Sequence, residues 1–152
     1  MEIATQAEFD EILSQHNNIQ YVDAGNDKVA IGTATATATL TVAGSAVAKT
    51  DTDTSNTGNV ALDFTANQNF VLTLTGNTTL TNPSTENVGQ SGFIACIQDG
   101  TGSRTLSLGT DYETAGAAGI TLSTAASTTD LIPYVVIAAN RILLGQPQKS
   151  FS

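Results

Sequence analysis

The sequence has one cysteine, one histidine and no tryptophan. A lone Cys96 excludes an intramolecular disulfide framework. One Cys and one His are too few for a zinc site of the usual nitrogen and sulfur ligands. Any Ser-His-Asp or Cys-His mechanism would have to be built on His16. That residue follows a short predicted helix and is far in sequence from Cys96, which stands in an apolar run where a thiol behaves as a small hydrophobe. Charge is scarce as well. Charged residues make up 12% of the chain, and only five are basic. Lys28, Lys49, Arg104, Arg141 and Lys149 are scattered, whereas phosphate neutralisation needs them clustered. With a net charge of −9, nucleic acid is not an expected partner, and an anionic membrane surface would repel the chain. No run of 18 apolar residues is present, so no spanning helix is predicted. Residues 1–15 lack the basic and apolar segments of a secretory signal.

What is present is β-patterning. The chain is 40% hydrophobic and 5% aromatic, so its core must be built largely from Val, Ile, Leu and Ala. Threonine, which is β-branched and favours strands, is about one residue in six. The clearest alternation lies in residues 59–64, 70–75 and 78–81. Val60, Leu62 and Phe64 share one face of an extended chain, and Phe70, Leu72 and Leu74 share another. With residues 66–69 and Gly76-Asn77 read as turns, this pattern predicts two antiparallel strands and the start of a third. Residues 93–97 are apolar on both faces and predict a central strand. Asp99-Gly100 and Gly102 predict a hairpin turn, with 104–108 pairing back. Residues 120–122 predict a short strand. Residues 130–138 form the longest apolar run and turn at Ala139-Asn140 into 141–144; the tail from Gln146 is expected to be irregular.

Upstream, Thr5-Gln6-Ala7-Glu8 has the form of a capping box and predicts a helix over residues 6–15. Its stripe of Phe9, Ile12 and Leu13 must dock on something, because ten residues do not hold a helix alone in water. These three are the candidate interaction residues. Residues 19–22 and 28–31 predict a hairpin with a longer loop. Residues 33–42 alternate threonine with small residues, predicting a strand with a thin methyl face. Residues 43–59 read as a linker. The expected fold is therefore mainly β: an antiparallel sandwich or jelly-roll-like domain, residues 58–152, preceded by a short N-terminal helix and an extended β arm within residues 1–57.

Patterns that would carry chemistry are incomplete. Asp51-x-Asp53-x-Ser55 has the start of a calcium loop, but Asn56 stands where glycine is required and Leu62 where the bidentate glutamate is required. Asp111 and Glu113 are a conceivable glycosidase pair, without an aromatic platform for sugar nearby. Gly100-Thr101-Gly102 lacks the third glycine and the helix of a dinucleotide fingerprint. No catalytic, cofactor-binding or metal-ligating residues are expected, no cofactor is expected, and the protein is not expected to be an enzyme.

Two stretches carry a resemblance. Asp63-Phe64, the run from Asn69 to Leu80, Gly89-Gln90-Ser91-Gly92 and the run from Gln98 to Leu106 together resemble a β-module recurring in tailed-phage virion proteins, both tail fibres and proteins that decorate the head. Tyr21 to Thr33 resembles the Gly-Ile-Gly-Thr repeat of phage fibre shafts, with Ala30 in place of its first glycine. The resemblance implies a non-enzymatic virion structural protein, made in the host cytoplasm. Chain length favours a capsid decoration protein that binds the major capsid protein as a homotrimer. The alternative is a short tail fibre or a host-receptor-binding adhesin subunit.

Overall fold

The computed structural model describes Tyr21–Ser152 apart from Ala24, Asp27 and Ala34. The predicted helix over residues 6–15, with Phe9, Ile12, Leu13 and His16, lies outside the described residues. The chain forms two compact units that divide between Val47 and Ala48.

In the first unit, β1 (Tyr21–Asp23) pairs antiparallel with β2 (Lys28–Ile31), which is the expected hairpin. The threonine-alanine run forms a strand only at its end, β3 (Leu40–Val42), which pairs parallel with β2. Threonine hydroxyls explain the shortfall. Thr41 Oγ1 accepts from the amides of Thr37 and Ala38 at 3.0 and 3.1 Å, and Thr33 Oγ1 accepts from the amide of Thr35 at 3.2 Å. Such local bonds compete with a ladder, and a face of alanine methyls offers little burial to offset them.

The second unit is mainly β, as expected, with mixed pairing. Its strands are β4 (Thr50–Ala61), β5 (Asn69–Thr81), β6 (Ser91–Gln98), β7 (Leu106–Leu108), β8 (Tyr112–Thr114), β9 (Thr129–Ala138), β10 (Arg141–Leu144) and β11 (Gln148–Phe151). The sheet runs β4-β5-β6-β9-β10-β8, with β7 on β5 and β11 on β9. Five of the expectations above are corrected here. The linker from Thr50 onward is strand β4, so the boundary expected at Gly58 falls inside a strand. β4 and β5 are parallel, with Thr50 opposite Asn69 and Ala61 opposite Thr81. The Arg104–Leu108 stretch does not return on β6; its strand β7 joins β5 in parallel. The tail is ordered as β11, antiparallel to β9, whereas residues 120–122 form no strand.

The parallel pairing has a geometric consequence. Residues 62–68 must carry the chain from the end of β4 to the start of β5, beside Thr50. For straight strands that gap is roughly 36 Å at about 3.3 Å per residue, more than seven residues span. The strands must therefore bend, and β4 does so where its register shifts on either side of Asn56, as bulges cause. Asn56 is buried and its amide donates to the carbonyls of Asp53 and Thr73 at 3.1 and 3.2 Å. Its own carbonyl accepts from the hydroxyls of Thr75 and Thr78. Gly76 faces the side chain of Thr57 so closely that a Cβ would collide with it. Gly76-Asn77 is thus not a turn. Phe70, Leu72, Leu74, Thr78 and Leu80 are all buried, so the inward parity of β5 continues across the bend.

The loop after β6 shows why no hairpin forms there. Asp99 Oδ1 accepts from the amides of Thr101 and Gly102, and Arg104 grips the same carboxylate through Nε and Nη2. Gly102 (φ +77°) packs against the backbone of Thr124–Ala126. Buried Gln98 then bonds the backbone of Arg104 in both directions, donating at 2.9 Å and accepting at 2.8 Å, and donates to the carbonyl of Ser123. The chain is drawn away from β6 and delivered to β5. Hydrogen bonding by Arg104 holds the Asp99 carboxyl at about 2. A depressed carboxyl stabilises the folded state above the ordinary Asp range, and that contribution is lost as pH falls toward 2.

Candidate functional site

The loop of residues 62–68 and the loop of residues 82–90 lie side by side because the strands they precede, β5 and β6, pair in parallel. Between them is a cleft of about 500 Å³ with Phe64 as its floor, Asn67, Gln68, Asn87 and Gln90 on its walls and Lys49 at its rim. The wall of residues 62–68 is fixed by its own local bonds. Asp63 Oδ1 accepts from the amides of Thr65 and Ala66 and from the Thr65 hydroxyl at 2.6 Å, and these bonds hold its carboxyl below the usual range. Gln68 and Asn69 amides donate to the carbonyl of Lys49.

Side-chain amides then cross between the walls. Gln68 Nε2 donates to the carbonyl of Ser91 at 2.9 Å, and Gln90 Nε2 donates to the carbonyl of Asn67 at 2.7 Å and to the Tyr134 hydroxyl at 3.2 Å. The Tyr134 hydroxyl in turn donates to the carbonyl of Gln68. Its ring stands edge-on to Phe64, centroids 5.2 Å apart, with Phe70 at 5.0 Å from Phe64. Burial pushes the Tyr134 hydroxyl pKa up, so it stays a neutral donor. Gly92 lies where the two walls meet: a Cβ there would collide with the carbonyl of Gln68 and press on Asn69 and Tyr134.

Some polar groups are left over. Gln90 Oε1 is buried and has no hydrogen-bond partner among the described residues, which is costly unless something fills the role. Among the described residues, the side chains of Lys49 and Asn67 make no hydrogen bond or ion pair, although the Lys49 charge is felt at Asp63. Lys49 and Asn67 thus leave a cation and a neutral amide at the cleft, groups that can hydrogen-bond a ligand bearing hydroxyls.

The residues that build this cleft lie, with the exception of Lys49, inside a stretch that matches a known family. Residues 61–137, just over half of the chain, match the family described as "Putative phage tail fibre C-terminal domain". This chain belongs to that family. It is a structural protein of a tailed-phage virion, as its resemblance to virion β-modules implied. No curated protein and no solved structure matches the chain.

In this phage protein the side chains weighed earlier for chemistry are dispersed. Cys96 is buried on β6, and burial pushes its thiol up to about 12, with the Asp130 charge as a second cause. Glu113 is held by Arg141 through two bonds of 2.7 and 2.9 Å, which lowers its carboxyl. Asp111 takes the Thr110 hydroxyl at 3.4 Å. Asp51 and Asp53 lie on β4, where Asp53 Oδ1 accepts from the Ser55 amide. Among the described residues no group of three or more His, Cys, Asp or Glu gathers in a metal-binding arrangement. The cleft is not legible in the sequence because Asn67-Gln68 reads as turn chemistry and nothing in the sequence sets it beside Asn87 to Gln90. The available signal was the repetition of Asn and Gln in two successive interstrand loops.

Proposed function

We propose that this protein is a tail-fibre subunit, or a tail-attached adhesin, that binds a hydroxyl-rich receptor on the host surface without catalysing a reaction. The observation that carries the reading is the family match over residues 61–137, because it spans both loops of the amide-lined cleft. The description of that family favours the tail over the head, so the tail-fibre alternative displaces capsid decoration as the leading reading. In this account the protein uses no cofactor or metal, its partners are further copies of itself, as a homotrimer, and the host receptor, and neither nucleic acid nor membrane is a partner.

The test is adsorption of the purified, fluorescently labelled protein to host cells, compared with variants Lys49→Ala and Asn67→Ala. Among the described residues neither side chain makes a hydrogen bond or ion pair, so melting temperatures should stay close to that of the parent. Removing one polar contact to a bound ligand is worth about 1 kcal/mol and up to about 3 where charge is involved, so cell binding should fall about tenfold in each variant. Binding that is unchanged in both variants rules out the cleft as the receptor site. No binding by the parent protein argues against the adhesin reading itself.

A further inference from the structure

The pleat of β9 places Ile132, Tyr134 and Val136 in the core and turns Leu131, Pro133, Val135 and Ile137 outward. A sheet with one solvated face normally carries polar residues there. This one does not: Val135 is 36% and Ile137 41% exposed. On the flanking strands the outward positions continue the pattern. Phe93 and Ile97 of β6 lie opposite Pro133 and Thr129, and Leu143 of β10 lies opposite Val135. A shallow apolar groove between Pro133, Val135, Leu143 and Gly145 marks its centre. The sequence reads as apolar on both faces of β6, the pattern of a strand covered on both sides, yet the described residues cover only one.

We propose that the outer face of β6, β9 and β10 is where copies of this chain meet, an inference that rests on the self-association proposed above and adds its location. Charge selects the occupant. At a net charge of −9, two copies repel unless they meet through surfaces without carboxylates, and no outward position of β6, β9 or β10 carries one. The same net charge disfavours an anionic lipid surface as the occupant. Size agrees as well. At about 4.8 Å between strands and about 3.3 Å per residue, the 22 residues of β6, β9 and β10 cover roughly 350 Å² in projection. That is the scale of the apolar centre of an interface burying about 800 Å² per partner, with a polar rim around it. Thr73 and Thr75 of β5 and the Arg141–Glu113 pair on the other side lie where such a rim belongs.

Sedimentation of the full chain tests the proposal. The parent should sediment as an oligomer, and Val135→Glu with Ile137→Glu should weaken association by about 30-fold or more, as expected for residues at an interface centre. Far-ultraviolet circular dichroism should be unchanged, because both side chains are exposed in the single chain. If the double variant does not fold, Val135→Thr with Ile137→Thr keeps the β-branched shape and should still shift the equilibrium toward monomer. An oligomer that persists undiminished in a folded variant overturns the location while leaving self-association standing. A parent that is monomeric at high concentration overturns both.

Discussion

Phe70→Ala should destabilise the β-unit by about 3–5 kcal/mol, the cost of emptying a large, closed aromatic site. Phe70 has no exposed surface, and its ring packs against Phe64 with centroids 5.0 Å apart and against Tyr134 at 6.3 Å. The loss would be felt in two places. β5 is the strand on which β4, β6 and β7 all assemble, and the Phe64 and Tyr134 rings support the cleft. Against a total stability of roughly 5–15 kcal/mol, a change of this size leaves a marginal domain. Denaturant unfolding followed by circular dichroism measures it. A midpoint shift corresponding to less than about 1 kcal/mol would mean that the aromatic cluster is not the packing centre. Phe70→Leu should recover much of the loss by refilling most of the volume.

Asp130→Ala should cost about 2–4 kcal/mol for a different reason. Asp130 is buried at the head of β9, and the fold gives it donors rather than a cation. Its carboxylate accepts from the Ser123 hydroxyl at 2.7 Å, from the Ser150 amide at 2.8 Å and from the Ser123 amide. Bonds to a charged acceptor are worth more than neutral ones, and removing the acceptor strands buried donors. The tail strand β11 should loosen first, because Ser150 is one of the groups held. Hydrogen exchange at the Ser150 amide should accelerate at least as much as global unfolding does, whereas Asp130→Asn, which keeps one acceptor oxygen, should fall between the two. Equal protection of that amide in the parent and the alanine variant would show that Asp130 does not anchor the tail.

Both residues illustrate what the sequence made legible. The inward row of β5 could be read directly, because alternation survives whatever a strand pairs with; β9, apolar on both faces, reads as a strand without showing which face turns inward. Pairing direction could not. Asn69 to Thr81 reads as two strands with a Gly-Asn turn, and only the packing of Gly76 against Thr57, with Asn56 buried beside it, makes it one bent strand. Thr50 to Thr57 has a linker's composition because it lies at the edge of the sheet and buries little besides Asn56; its identity as a strand comes from the ladder with β5. Asp130 was legible as the polar start of an apolar run, but its partners Ser123 and Ser150 are brought together only by the fold. The cleft was illegible for a related reason. Gln68 and Gln90 are unremarkable as loop residues, and their function as cross-ties depends on two parallel strands setting their loops side by side. The helix stripe of Phe9, Ile12 and Leu13 lies outside the described residues, and the interface proposed on β6, β9 and β10 does not draw on it.

The most direct measurement is the position of this chain on the assembled particle. Antibody-gold labelling against the β-unit, viewed by electron microscopy of intact virions, should place the label on the fibres or the tail and leave the head clear. Label distributed over the capsid surface would contradict the tail-fibre account and restore capsid decoration in its place.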